Sequence, residues 1–133
     1  MNDSEAILTV TQRQPPLKTR LSTITSALLD EKGYISFVDV FLRLGYLSPS
    51  DYENWRFKRL PSLERVITRN RGHINQVMKT VRRNSLNGKL TPSRTVYTSW
   101  GKGKKVSLRF SQSGEPQIED AYATHFVKPR ASI

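Results

Sequence analysis

Two histidines and a scatter of carboxylates are all that this chain of 133 residues offers for proton transfer or metal binding, since it contains no cysteine. His73 stands in the run Arg69-Asn70-Arg71-Gly72-His73. A histidine can move a proton while an arginine stabilises a phosphorane, which is the chemistry of a small, toxin-type ribonuclease. The spacing fits no defined catalytic motif, however, and a surface histidine in a basic helix is the simpler expectation. Glu115, Glu119, Asp120 and His125 are oxygen and nitrogen donors without a recognised ligand spacing. Gly101-Lys102-Gly103 is no nucleotide fingerprint, because no helix is expected after it to receive a phosphate. The absence of cysteine excludes disulfides, thiolate metal sites and thiol nucleophiles. The sequence therefore predicts no catalytic residues, no metal and no cofactor.

Charge carries more information. The formal net charge is +11, and it is unevenly spread. Residues 1–53 hold five cations against seven acids, and residues 111–133 hold two against three. Residues 54–110 hold fifteen cations against Glu64 alone. A segment that repels itself this strongly is best explained by a polyanionic partner, and DNA is expected in preference to RNA. An acidic protein partner is the alternative. Apolar residues make up 36% and no run approaches the length of a membrane span, so a soluble, cytoplasmic protein with no membrane association is expected.

The elements that must position these cations follow from periodicity. Residues 1–18, with Pro15 and Pro16, read as a flexible arm with a short strand possible at 6–11; residues 19–127 as one domain; and residues 128–133 as a frayed tail. Leu21, Ile24 and Leu28 at helical spacing, stopped by Gly33, predict a first helix over 20–32. Ser36 with Asp39, then Phe37, Val40, Phe41 and Leu44 before Gly45, predicts a second over 37–44. Ser48-Pro49-Ser50-Asp51 is a strong helix start and predicts a third from Pro49 to about Phe57, with Tyr52, Trp55 and Phe57 turned inward. Pro61 and Ser62 open a longer pattern over 62–84. There Leu63, Val66, Ile67, Ile74, Val77 and Val81 share one face, and Arg65, Arg69, Lys79 and Arg83 lie opposite. Gly72 marks a place where that helix can break.

Residues 91–94 read as a loop, after which the period changes to two. The runs 94–100 and 106–110 around Gly-Lys-Gly-Lys-Lys predict a β-hairpin with a cationic tip, and 117–127 a third strand or a short helix. The expected fold is thus α+β, about four helices followed by a C-terminal hairpin or small sheet. This order resembles a winged helix-turn-helix, in which one helix enters the major groove and a hairpin touches the backbone. Asp51 and Glu53 argue against the third helix as the groove helix, which leaves the helix over 62–84. The expected contacts are Arg65, Arg69, Lys79, Arg82 and Arg83 on that helix, with Arg94, Lys102, Lys104, Lys105 and Arg109 on the hairpin. Tyr97 and Trp100 are candidates for base stacking, which would matter most for single-stranded RNA. A domain of this size buries little surface on DNA by itself, so a homodimer is expected of a sequence-specific regulator.

Overall fold

The computed structural model describes residues 15–129; the strand considered at 6–11 lies outside them. Helix α1 runs from Leu17 to Lys32, so Leu17 and Lys18 belong to the helix rather than to an arm. It ends at Gly33, whose φ of 80° lies in the left-handed region that favours glycine. Strand β1, Tyr34–Ile35, follows and leads directly into α2, Phe37–Leu44. Ser36 caps α2 by accepting from the Asp39 amide at 3.1 Å, and Gly45 closes it. Helix α3, Pro49–Arg56, starts at Ser48, whose hydroxyl accepts from the Asp51 amide at 3.0 Å. The boundaries of α2 and α3 fall where the caps and glycines in the sequence place them.

The long helix expected over 62–84 does not form. Residues Leu63–Val66 make one 3-10 turn, Ile67 is extended, and α4 begins afresh at Arg71 and continues to Asn87. One local bond and two long-range ones interrupt the backbone between the halves of the apolar stripe. Asn70 accepts from the His73 amide at 2.8 Å and so acts as an N-cap. Thr68 donates both its amide, at 2.9 Å, and its hydroxyl, at 3.1 Å, to the Tyr46 carbonyl. Gly72 therefore lies in the first turn of α4, where it costs little.

The sheet also departs from expectation. Thr91–Arg94, expected as a loop, is strand β2; 117–127 is both alternatives in turn, α5 over Pro116–Ala123 and strand β3 over Thr124–Val127. The sheet is antiparallel with order β1-β3-β2, with Ile35 opposite Phe126 and Ser93 opposite His125. The hairpin over 94–110 is reduced to a single bridge, Thr98 with Ser107, flanked by Ser99 N–H to the Val106 carbonyl and Leu108 N–H to the Tyr97 carbonyl. It does not grow into a ladder because the next donor, Val106 N–H, goes to the Ser99 hydroxyl at 3.1 Å and not to the Ser99 carbonyl, while Trp100 N–H, which faces away from the partner segment, goes to the Arg56 carbonyl at the end of α3.

The core joins α1 through Leu21 and Leu28, α2 through Val40, Phe41 and Leu44, and α4 through Ile74, Val77 and Val81. Trp55, Leu63, Phe110, Tyr122 and Phe126 complete it. Trp55 is fully buried and its Nε1 donates to the Arg109 carbonyl at 2.8 Å. Phe57, expected inward, is 41% exposed because α3 ends one residue earlier. Among the described residues no helix is long and apolar enough to cross a membrane.

Candidate nucleic-acid interface

Helix α4 buries Ile74, Val77, Val81 and Ser85 on one side. At about 100° per residue, the opposite arc carries Asn75, Gln76, Lys79 and Arg83, with Arg71 and Arg82 on its flank and Leu86 within it. All seven are exposed, and the helix contains no acid. The ion pairs found among the described residues are Lys32 with Asp39, Arg43 with Glu31, and Arg94 with Asp120. Among the described residues, none of the four cations of α4 is neutralised by a carboxylate within 4.0 Å.

Glu64 is the lone acid of the cationic segment, and it points inward. It accepts from the Tyr122 hydroxyl at 2.7 Å and from the Gln112 amide at 2.8 Å. Burial, and secondarily this carboxylate, push the Tyr122 hydroxyl far above its ordinary pKa, so it remains a donor. Glu64 thus closes the core and leaves the outer charge undiluted.

The structure separates the residues that the sequence grouped. Arg65 is exposed on the 3-10 turn and Arg69 lies in the link before α4, so neither shares a helix face with Lys79 and Arg83. The Arg69 guanidinium sits 4.5 Å from the centre of the Tyr46 ring, and the Tyr46 hydroxyl is hydrogen-bonded to His73 Nε2 at 2.7 Å. His73 is therefore held at the foot of α4. Arg94 is paired with Asp120 at 2.8 Å. Arg109 donates Nε to the Ser111 carbonyl at 2.7 Å and Nη2 to the Gln112 carbonyl, bracing the turn that follows it.

The tip is built as the sequence implies. Gly101 and Gly103 have φ of 99° and 97°, values that require glycine, and Lys102, Lys104 and Lys105 are exposed around them. Lys105 folds back to the Gly101 carbonyl at 2.7 Å. Trp100, 40% exposed, packs edge-on against Tyr52 and Phe57. Tyr97 is packed rather than free to stack, with its ring against Trp55 and Phe110 and its hydroxyl bonded to His125 Nε2 at 2.9 Å. Among the described residues no three His, Asp or Glu side chains come together as a metal-ligand set.

Sequence reasoning missed Arg71, Asn75 and Gln76. Asn75 and Gln76 carry no charge, so a face read from its cations passes over them, and Asn70 as an N-cap is the signal that takes Arg65 and Arg69 off the helix. Lys58, at a positive φ of 62°, and Arg59 were also left out; with Arg109 they border a cleft between the end of α3 and the 107–109 strand. Compared with known proteins, the chain matches no family model, no curated protein and no solved structure.

Proposed function

We propose that this protein binds DNA, with the outer face of α4 in the major groove and the 101–105 tip against the phosphate backbone. The observation that carries the reading is that face: four unpaired cations, no acid, and two exposed amides, Asn75 and Gln76, between them. Arginine and lysine supply phosphate contacts, while asparagine and glutamine are the side chains that read adenine edges. Duplex DNA is preferred over duplex RNA because a helix fits the B-form major groove and cannot enter the deep, narrow A-form one. The chain order supports the same assignment by analogy. A helix, a strand, three further helices with α4 the third of them after the 3-10 turn, then β2, α5 and β3 in a β1-β3-β2 sheet resembles the order of a winged helix, with α5 as an addition. Residues 95–123 then occupy the place of the wing.

The test is binding of a random duplex and of single-stranded RNA across a salt series, wild type beside the variant Arg71→Gln/Lys79→Gln/Arg82→Gln/Arg83→Gln. With about 0.9 counterions released per phosphate contact, the variant's log–log salt slope should be shallower by about 3.6 on duplex DNA. Equal slopes for the two proteins would remove α4 from the interface, and a preference for the single-stranded RNA would move the function to the Trp100 side of the molecule.

A further inference from the structure

On another side of the molecule, β1, the start of α2, α3 and residues 95–97 enclose an open cleft of about 260 Å³. Three tyrosines wall it, Tyr34, Tyr52 and Tyr97. Tyr34 lies flat on His125, with ring centres 4.7 Å apart and planes 3° from parallel. His125 is fixed in turn by the Tyr97 hydroxyl at 2.9 Å. These rings are therefore held in place before any ligand arrives.

Arg56 is the group in this cleft that the protein itself does not explain. Its guanidinium lies over the rings of Trp100, at 4.7 Å, and Tyr97, at 5.2 Å. None of the side-chain hydrogen bonds or ion pairs among the described residues involves it, and its Nε is the one buried side-chain nitrogen or oxygen among them that lacks a partner. A guanidinium carries five N–H donors in a fixed fork, and a half-buried one without an acceptor is costly. Caging between aromatic faces holds that fork in one orientation, and oxyanions are the acceptors that match it. The other charges in the cleft, Lys32 and Asp39, neutralise each other at 2.9 Å. Each Asp39 oxygen accepts a single side-chain bond, from Lys32 or Ser36, and so keeps a lone pair for a further donor.

We propose that this cleft is a nucleotide-binding site, with the phosphoryl group on Arg56, the base against Tyr34 and Tyr52 and an exocyclic amine of the base directed to Asp39. It goes beyond the α4 reading and does not depend on it. The same chemistry has two sources, a free mononucleotide or an unpaired nucleotide of a strand. Trp100, which covers Arg56, immediately precedes the lysine tip, so a strand following Lys102, Lys104 and Lys105 arrives at the same place.

The experiment is titration of the intact protein with AMP, GMP, CMP and UMP, followed by amide chemical shifts and Trp100 fluorescence, with inorganic phosphate and adenosine as partial ligands. At least one nucleotide should give saturable shifts at Tyr34, Arg56 and His125 by about 5 mM, with each partial ligand weaker by at least about tenfold. Arg56→Gln should weaken binding by at least about tenfold, and Arg56→Lys should do so as well, because it keeps the charge and loses the fork. Tyr34→Leu carries the same test should the Arg56 variants fail to fold. The four-residue α4 variant should bind nucleotides as wild type does, which keeps this result separate from the duplex measurement. A 5′-phosphorylated single strand whose affinity falls when Lys102, Lys104 and Lys105 are changed to Gln, while mononucleotide affinity holds, identifies the strand as source; unchanged affinity for both identifies the free nucleotide. Absence of saturable shifts with all four nucleotides, or undiminished binding in folded Arg56→Gln, overturns the proposal.

Discussion

Glu119 of α5 is the side chain on which the junction between the 106–110 segment and the core most depends, and Glu119→Gln tests that dependence without changing shape. Its Oε1 accepts the Phe110 amide at 2.8 Å; its Oε2 accepts the Ser111 amide at 2.7 Å and the Ser111 hydroxyl at 2.5 Å. Phe110 and Ser111 are 3% and 1% exposed, so water cannot replace a lost acceptor. A glutamine keeps one oxygen and turns the other into an amino group facing a donor. One buried backbone N–H is then left without an acceptor, at about 1–3 kcal/mol, and the surviving bond loses its charge assistance, about 1 kcal/mol more. The expected loss is about 2–4 kcal/mol, a large part of the roughly 5–15 kcal/mol typical of a domain. For a chain of this length that lowers Tm by about 10 °C. The control is Glu115→Gln, which changes net charge identically but removes a single exposed bond from the Gln117 side chain at 3.1 Å, so it should stay within about 0.5 kcal/mol of wild type. Urea unfolding followed by circular dichroism compares the two. Midpoints that shift equally would show that the cost is charge alone, and the assignment of Glu119 as the buried acceptor would be wrong.

Two further outcomes follow from the same coordinates. Trp55→Phe loses the bond to the Arg109 carbonyl, which keeps Leu63 N–H at 3.2 Å; the net bond and the void left by the missing ring together come to about 2 kcal/mol. Trp100→Phe, at a 40% exposed position, should cost less than about 1 kcal/mol, and equal losses in equilibrium unfolding would contradict the burial difference. For pH, desolvation holds the imidazole of half-buried His125 below its ordinary pKa. The unfolded chain then takes up that proton first, so this contribution to stability is complete above pH about 6.5 and declines as the pH falls below it. His125→Gln should flatten the decline between pH 7 and 5 in urea midpoints, and an unchanged slope would assign it to other groups.

The parts of the fold that were legible in the sequence are those fixed by short-range chemistry. Ser36 with Asp39, Ser48 with Pro49, and the glycines at 33 and 45 each act within one turn, and α1 to α3 stand accordingly. The errors came where a long-range partner decided. Thr68 leaves the helical pattern because the Tyr46 carbonyl, 22 residues away, takes two of its hydrogen bonds. Residues 91–94, which include Pro92, are weak strand formers, yet they pair with β3 because that strand has a free edge there. The segment before the lysine tip is tied to the end of α3 by Trp100 N–H on the Arg56 carbonyl. Periodicity records which face of a segment is apolar, and it carries no term for a distant acceptor. For the site, charge density was legible and phase was not. Moving the helix start from 62 to Arg71 removed Arg65 and Arg69 from the face, while Asn75 and Gln76, neutral and so passed over by a count of cations, lie on it with either start.

The way the acids are used explains why the positive charge cannot be dispersed within the molecule. From residue 54 to residue 129, Glu64 and Glu119 are committed to buried donors and Asp120 to Arg94. Glu115 alone is exposed without a cation. Fourteen of the fifteen cations between Asn54 and Phe110 accordingly have no carboxylate within 4.0 Å among the described residues. On α4, Lys79, Arg82 and Arg83 are three and four residues apart, separations of about 5–6 Å between their Cβ atoms, inside the roughly 8 Å screening length of physiological salt. They repel one another in the folded helix, and among the described residues no carboxylate lies within 4.0 Å of them to relieve it. On the proposed reading, duplex DNA, with one negative charge per about 1.7 Å of axis, would present anions at a density that matches this spacing, and the three side chains that destabilise the free helix would stabilise a bound one.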